Sequence, residues 1–508
     1  MKTKVYLNDW FLNCGIIGFL RILEDNKDKF AEINENYISF DTEKLKNFHK
    51  YYFKYFFDKY NVGERVVNRL AKSFENLEKY LNIETDNKQE QKEIKDKIKA
   101  EKKYIKNTMK SQLDKIKKYN VEIYEEMLEE YNKIDSIKEK EDIGKLNNIK
   151  DVFSSNMKKD IINKRLTANL FKNILGKSYF GQNSFLNVTH SALTYEEQEE
   201  LMYRDYICNI VEINFLNEII QDKYVLEDIK NKIEEKLNDK LMSKQMLKIY
   251  GDIQKKYIKK EKDLNSLKEY IEKEVFSYCY MCENEKSITS NYSEGKFVPL
   301  ALSSKDAKNF FWNQNVSFPI CDVCKLILFC IPAGVSIISK TIQENKNGQI
   351  SYNDKEINSF VNYDVSIEEL RKTNDYLTQS SKNDKTTSNP YADLILNIVE
   401  QEKNLSNWQL QNIFVVEFET EYLSFSRIEY FNIKRYIAEF FTEYAKNSLV
   451  LIRDYRYKIQ IMDYIMKNKD IKYVINNRLR EELNKEFRNG FNCFLATKTR
   501  LDLNLLKK

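Results

Sequence analysis

Apolar and polar positions alternate along this chain mostly with the period of a helix. Residues 7–24 place Ile16, Phe19, Leu20 and Leu23 on one face, with Asn8 or Asp9 ready to cap the first turn. Gly15 and Gly18 fall inside that helix. Glycine there weakens the helix, so the pair predicts the close approach of another backbone, with contact to RNA as the other use. Tyr37 to Phe40 reads as a strand. Lys50 to Tyr60 interleaves lysines with aromatics; that suits either a helix burying its aromatic face or bases stacked beside phosphate contacts. Between Glu84 and Lys150 the apolar positions thin out to Ile105, Met109 and Leu113, four residues apart, which predicts a charged helical hairpin or arm.

Further on, Ile229, Ile233, Leu237 and Leu241 mark helix within 195–278, and Phe297 to Leu302 reads as a strand. Asn347-Gly348 is a hairpin turn signal, and Asn412 to Phe418 reads as one more strand. Residues 379–390 lose all periodicity to polar, turn-forming types and read as a mobile linker. The C-terminal stretch returns to helices marked by Ile437, Phe440, Phe441 and Tyr444, then by Ile475, Leu479, Leu483 and Phe487.

Two cysteine pairs add chemistry to this pattern. Cys279-Tyr-Met-Cys282 and Cys321-Asp-Val-Cys324 are separated by 38 residues. Each CxxC knuckle presents two thiolates, and two knuckles complete a tetrahedron, the form of a zinc site. Four soft ligands leave no open position for water or substrate, so the zinc is expected to be structural. Ordinary spacing between such pairs is about 15 to 20 residues, which implies an insertion between these knuckles. Cys14, Cys208, Cys330 and Cys493 have no paired spacing and read as core or incidental.

With only 11 Gly and 4 Pro in 508 residues, long helices are favoured over many short strands, while 42% apolar residues suffice for large cores. The expected fold is α+β and predominantly α-helical: a mixed N-terminal region, a zinc-ribbon-like insertion and a C-terminal helical bundle. The expected boundaries are a docking region at 1–83, the arm at 84–150, a body at 151–378 carrying the zinc-ribbon-like module at 275–330, the linker at 379–390 and a basic bundle at 391–508.

Charge is uneven. The chain carries a formal +5, yet residues 427–508 hold 18 Lys/Arg against 10 Asp/Glu. A basic block of this kind points to a polyanion such as nucleic acid, or to a solvated helix face. Its candidate contacts are Arg453, Arg456, Lys458, Arg478, Arg480 and Arg488. A second candidate is the stretch 175–187, where Gly176 and Gly181 flank Lys177 and the amides and hydroxyl of Gln182, Asn183 and Ser184 follow. Such a loop can serve a sugar-phosphate chain or simply connect two helices. It lacks the Walker A pattern.

The N-terminus has no signal-peptide core, and the apolar run from Leu326 to Ile338 is too short for a bilayer, so a cytoplasmic protein without membrane contact is expected. There the reducing environment favours metal over disulfide. His49 and His190 are the two histidines of the chain, and no HExxH, GxSxG or GxGxxG motif occurs. A binding protein is therefore expected rather than an enzyme.

Asn8-Asp9-Trp10 with Asn13-Cys-Gly15-Ile-Ile-Gly18-Phe, the segment Phe180-Gly-Gln-Asn-Ser-Phe185-Leu, and the two CxxC pairs together resemble the CXXC-CXXC family of CRISPR-associated proteins. The resemblance implies the large subunit of a type I-B Cascade. Its implied partners are guide RNA (crRNA), target double-stranded DNA with its displaced strand, the other Cascade subunits and a helicase-nuclease. Its implied work is to bind the 5′ region of the guide and to read the protospacer-adjacent motif, while base pairing reads the target. In related systems the C-terminal bundle is also translated alone from an internal start; here no Met lies between Met281 and Met462. Two other classes stand beside this one: a stand-alone metal-dependent defence nuclease, and a zinc-stabilised protein-interaction scaffold.

Overall fold

The computed structural model describes residues 2–284, 286–292, 296–300, 317–346, 349–362, 366–380, 391–392, 394, 413–421, 425–483 and 490–507. They form two units: one of residues 1–47, 177–181 and 203–508, the other of residues 48–176 and 182–202. The fold is predominantly α-helical with small antiparallel sheets, as the scarcity of glycine and proline predicted.

In the first unit the chain begins with β1 (Lys2–Tyr6), α1 (Trp10–Asp25), β2 (Glu32–Ile33) and β3 (Tyr37–Asp41). The strands pair antiparallel in the order β1-β3-β2. Asp9 caps α1, accepting from the Leu12 amide at 2.9 Å. Almost every α1 residue from Trp10 to Leu23 is buried, so this helix is a core element rather than a surface one.

The second unit is wholly helical among its described residues. It holds α2 (Phe48–Tyr60), α3 (Val62–Leu81), α4 (Lys88–Ile116), α5 (Val121–Lys133), α6 (Ile143–Lys158), α7 (Asp160–Leu175) and α8 (Tyr195–Met202). The interleaved aromatics of α2 are used for packing. Tyr52, Phe53 and Phe56 are fully buried, and the Phe53 ring lies 5.4 Å from Phe171 and 4.9 Å from Phe185. The predicted arm is helical, but only its first turns stand out. Ile105, Met109 and Leu113 of α4 share one core with Leu70 and Phe74 of α3 and with Phe153 and Leu166, so the expected boundaries at 83 and 150 run through a single apolar cluster. Lys172 of α7 is buried, and its ammonium has no hydrogen-bond partner among the described residues. Burial pulls its pKa down to about 8.

Back in the first unit, α9 (Cys208–Ile220), α10 (Leu226–Leu237), α11 (Lys244–Ile253) and α12 (Leu264–Tyr270) share a core that includes Ile229, Ile233, Met246 and Tyr250. The cysteine region follows with β4 (Thr289–Tyr292), β5 (Phe318–Cys321), α13 (Asp322–Phe329) and α14 (Ile331–Gly334). The strand expected at Phe297 to Leu302 is not formed. Val298–Leu300 is a 3₁₀ turn, because Phe297 is spent as a buried anchor and Pro299 cannot donate to a ladder; Ala301 and Leu302 lie outside the described residues.

A four-stranded antiparallel sheet comes next: β6 (Ser336–Lys346), β7 (Gln349–Asn362), β8 (Ile413–Glu421) and β9 (Phe425–Ile433), in that order. Lys346 pairs with Gln349, the register a two-residue Asn347-Gly348 connection requires. Between β7 and β8 lies α15 (Ile367–Ser380). Strands from both sides of 379–390 thus share one sheet; residues 381–390 themselves are outside the described residues. The chain ends in α16 (Arg435–Glu439), α17 (Tyr455–Met466), α18 (Lys472–Leu483) and α19 (Phe491–Leu506). Sheet and helices are joined by charge as well as by apolar packing: Lys340 of β6 contacts Glu417 of β8 at 3.0 Å and Asp463 of α17 at 2.6 Å.

Candidate metal centre

The four cysteines of the two knuckles converge, their sulfurs all within 4.8 Å of one another. Cys279 Sγ lies 3.9 Å from Cys324 Sγ, and Cys282 Sγ 3.7 Å from Cys321 Sγ. Four sulfurs bound at about 2.3 Å to one tetrahedral ion stand about 3.8 Å apart. The donor set is therefore spaced for a metal ion. A disulfide would need about 2.05 Å, and all eight cysteines are free.

Local structure explains the convergence. The first knuckle is a tight turn in which the Glu283 amide donates to the Cys279 carbonyl at 2.9 Å and the Cys279 amide to the Asn284 carbonyl at 3.0 Å. The antiparallel pairing of β4 with β5 sets Thr289 opposite Cys321 and so carries the second knuckle to the first. Cys321 then caps α13, with its sulfur accepting from the Cys324 amide at 3.4 Å, while the Cys321 amide donates to Cys279 Sγ at 3.2 Å. Amides aimed at sulfur favour the thiolate. Hydrogen bonds from the other three thiols hold Cys279 well below the ordinary thiol range, and sharing with Cys279, together with burial, pushes Cys321 and Cys324 well above it. Four thiolates this close repel, so all can be deprotonated only when a cation replaces the protons.

The residues between and around the cysteines anchor the module. Asp322 is buried, accepting from Asn209 of α9 at 2.8 Å and from Lys325 at 2.9 Å. The approach of α1 is closer still. A Cβ on Gly15 would sit 2.5 Å from the Ile327 carbonyl oxygen, one on Gly18 2.0 Å from that of Cys330, and one on Gly334 1.9 Å from that of Cys14. Both glycines of α1 are therefore there for backbone contact with α13 and α14. Arg21 completes the joint by donating to the carbonyls of Ala333 and Gly334 at 3.0 and 2.8 Å, while pairing with Asp375.

Phe297 is the aromatic hub beside this joint. Its ring lies 4.8 Å from Phe11, 6.2 Å from Phe180 and 5.5 Å from Phe418. Phe180 in turn stacks on Phe329 of α13 at 4.6 Å. The N-terminal motif, the start of the 180–186 segment and the cysteine module are thus one packed body. Asn8, Asp9 and Asn13 serve it structurally: the Asn13 side chain accepts from the Asn8 amide at 2.8 Å and donates to Asn362 at 2.9 Å. Sequence patterns had not singled out Phe297, Phe329, Arg21 or Asp322. Of these, the position of Asp322 inside a CxxC pair at a helix start was a usable signal.

The candidate nucleic-acid residues are less unified. Leu175 runs on into a π-turn, Gly176–Phe180, that leaves Lys177 exposed. Gly181 follows with a positive φ, and Ser184 also adopts the left-handed region. Gln182 is occupied locally, its side-chain oxygen accepting from the Val188 amide at 2.7 Å. Gln182, Asn183 and Ser184 belong to the other compact unit from Lys177. In the C-terminal helices Arg453, Arg456 and Arg480 are exposed. Arg478 is not: it pairs with Asp454 at 2.8 Å and Glu482 at 2.9 Å. Lys458 donates to the Val450 carbonyl at 2.7 Å, and Arg488 lies outside the described residues.

Residues 272–336 match the family model described as CRISPR-associated protein (Cas_CXXC_CXXC). That stretch of the chain is similar to the CXXC-CXXC family of CRISPR-associated proteins. The matched stretch contains all four cysteines together with α13 and α14, the surface against which α1 packs. No curated relative and no solved structure matches the chain. Among the described residues, no helix is long and apolar enough to cross a membrane.

Proposed function

We propose that this CXXC-CXXC protein is the non-catalytic large subunit of a type I-B Cascade. In this reading it binds the 5′ region of the guide RNA and the target DNA, reads the adjacent motif on the duplex, and helps recruit a helicase-nuclease in the cytoplasm. The observation that carries the reading is the family match at 272–336, against which α1 and Phe180 are packed. Zinc is the ion best suited to four thiolates at this spacing. Held by Cys279, Cys282, Cys321 and Cys324, it would supply structure only, keeping α13 presented to α1.

Exposed Lys177, Arg456 and Arg480 are the cations for phosphate in this proposal. The test is a Cascade assembled with the variant carrying Lys177→Glu, Arg456→Glu and Arg480→Glu. Its DNA affinity, measured across a salt series, should fall. The slope of log K against log salt should flatten by about 0.9 per phosphate contact removed. An unchanged slope removes these residues from the nucleic-acid path. Cleavage of DNA by the purified chain alone with magnesium or manganese would replace the reading with that of a defence nuclease.

A further inference from the structure

Exposed large apolar side chains are concentrated at the end of the chain. Val450 is 58% exposed, Leu451 51%, Phe491 51%, Phe494 64%, Leu501 57% and Leu505 65%. On α19 the exposed apolar positions are 491, 494, 501 and 505, and half-buried Lys498 stands on the step between 494 and 501, so steps of three and four follow one face of the helix. The opposite face of the same helix is already buried through Cys493, Ala496, Thr499 and Leu503. A helix apolar on both faces has a second neighbour to meet. Each of the six side chains is more than half exposed, where a monomer ordinarily leaves large apolar side chains exposed singly.

Cations border this patch: the ammonium groups of two are held there by hydrogen bonds, and the third, Arg453, is placed there by its backbone. Lys458 Nζ holds the Val450 carbonyl at 2.7 Å, Lys498 Nζ the Asn447 carbonyl at 3.2 Å, and the Arg453 amide the Asn492 side chain at 3.1 Å. Among the described residues none of the three is in an ion pair.

We infer that Val450, Leu451, Phe491 and Phe494, continued along α19 by Leu501 and Leu505, dock an amphipathic helix of a different protein whose apolar stripe is edged by carboxylates. The bordering charge selects the occupant. A second copy of this chain would bring the same cations against themselves across a two-fold axis. Nucleic acid fits less well, because four of the six side chains are aliphatic and offer no ring on which a base stacks. The inference is independent of the nucleic-acid reading, since it concerns carboxylate partners of Arg453, Lys458 and Lys498 rather than phosphates.

The test is zero-length carbodiimide coupling, which joins a lysine amine directly to a carboxylate, on the full-length chain in complexes purified from its own cells. Peptides containing Lys498 or Lys458 should be found joined to Asp- or Glu-containing peptides of another protein. That yield should drop at least ten-fold in separate Phe494→Asp and Leu501→Asp chains whose thermal melts and metal content match the parent. Both sites are exposed, so folding should survive. Lysine links confined to this chain or to a second copy, undiminished links in both variants, or loss of bound nucleic acid without loss of a protein partner would each overturn the inference. Guide RNA binding that persists in the variants separates its failure from failure of the Cascade reading.

Discussion

Gly18→Ala isolates the contact that ties the N-terminal motif to the cysteine module. The new Cβ would lie 2.0 Å from the Cys330 carbonyl oxygen and 2.8 Å from both the Cys330 carbonyl carbon and the Gly334 nitrogen. Ordinary contact begins near 3.5 Å, so α1 and α14 must part by about 1.5 Å. Alanine itself favours the helix by about 1 kcal/mol. Overpacking commonly costs about 1 to 3 kcal/mol, and here every near atom is backbone, so no rotamer change relieves it. The upper end of that range leaves a net loss of about 2 kcal/mol after the helix gain, which lowers the melting temperature by roughly 3 °C for a unit of about 360 residues. Gly251→Ala is the control. It lies on α11 with nothing within 4 Å of its Cβ position and should stabilise by about 0.5 to 1 kcal/mol. Melts followed by circular dichroism on the two variants and the parent decide the matter. Gly18→Ala melting at or above the parent, alongside Gly251→Ala, would refute the close-packed joint.

Two further outcomes follow from the geometry. Elemental analysis should find one zinc per chain, and Cys279→Ser or Cys324→Ser should weaken metal retention by about ten-fold or more, while Cys493→Ser leaves it intact; full zinc content in the knuckle variants would exclude the site. Lys172→Met should stabilise the protein at neutral pH by up to roughly 3 kcal/mol, since it removes a buried ammonium without a partner among the described residues. The folded-state pKa of Lys172 lies near 8, below the ordinary 10.5, so between about pH 8 and 10.5 the unfolded chain binds more protons and stability rises with pH. Urea titrations should show that rise in the parent and its absence in Lys172→Met; identical pH profiles would refute it.

Much of the site was legible in the chain itself. Spacing alone pointed to the four cysteines as one cluster, because two CxxC knuckles each present two sulfurs from a tight turn, and the fold brings all four together. Gly15 and Gly18 announced a backbone contact, because glycine inside an apolar helix has few other uses. The Asp9 cap, the pairing of β6 with β7 and the period of α10 through Leu237 were likewise local and appear where expected. Leu241, expected to continue that period, lies in a turn, and Phe487 lies outside the described residues. Other readings depended on neighbours. The aromatics of α2 suited bases or a core equally until Phe171 and Phe185 were found against them. Arg478 looked like its exposed neighbours Arg480 and Arg456 until the fold set Asp454 and Glu482 beside it.

By itself, then, the sequence determined the helical fold class, the four cysteines that converge and the glycines through which α1 packs. All of these follow from residue type at short spacing, where the covalent chain carries the information. Only the tertiary structure decided what lies beside what. It brought Asn8 to Phe19, Phe180 and the cysteine module into one body around Phe297, joined strands from both sides of 379–390 in one sheet, and turned Arg478 inward while leaving a cation-bordered apolar face outward on α19. Most of those outcomes depend on pairings between residues tens to hundreds of positions apart, which residue type constrains only through the packing it finally permits.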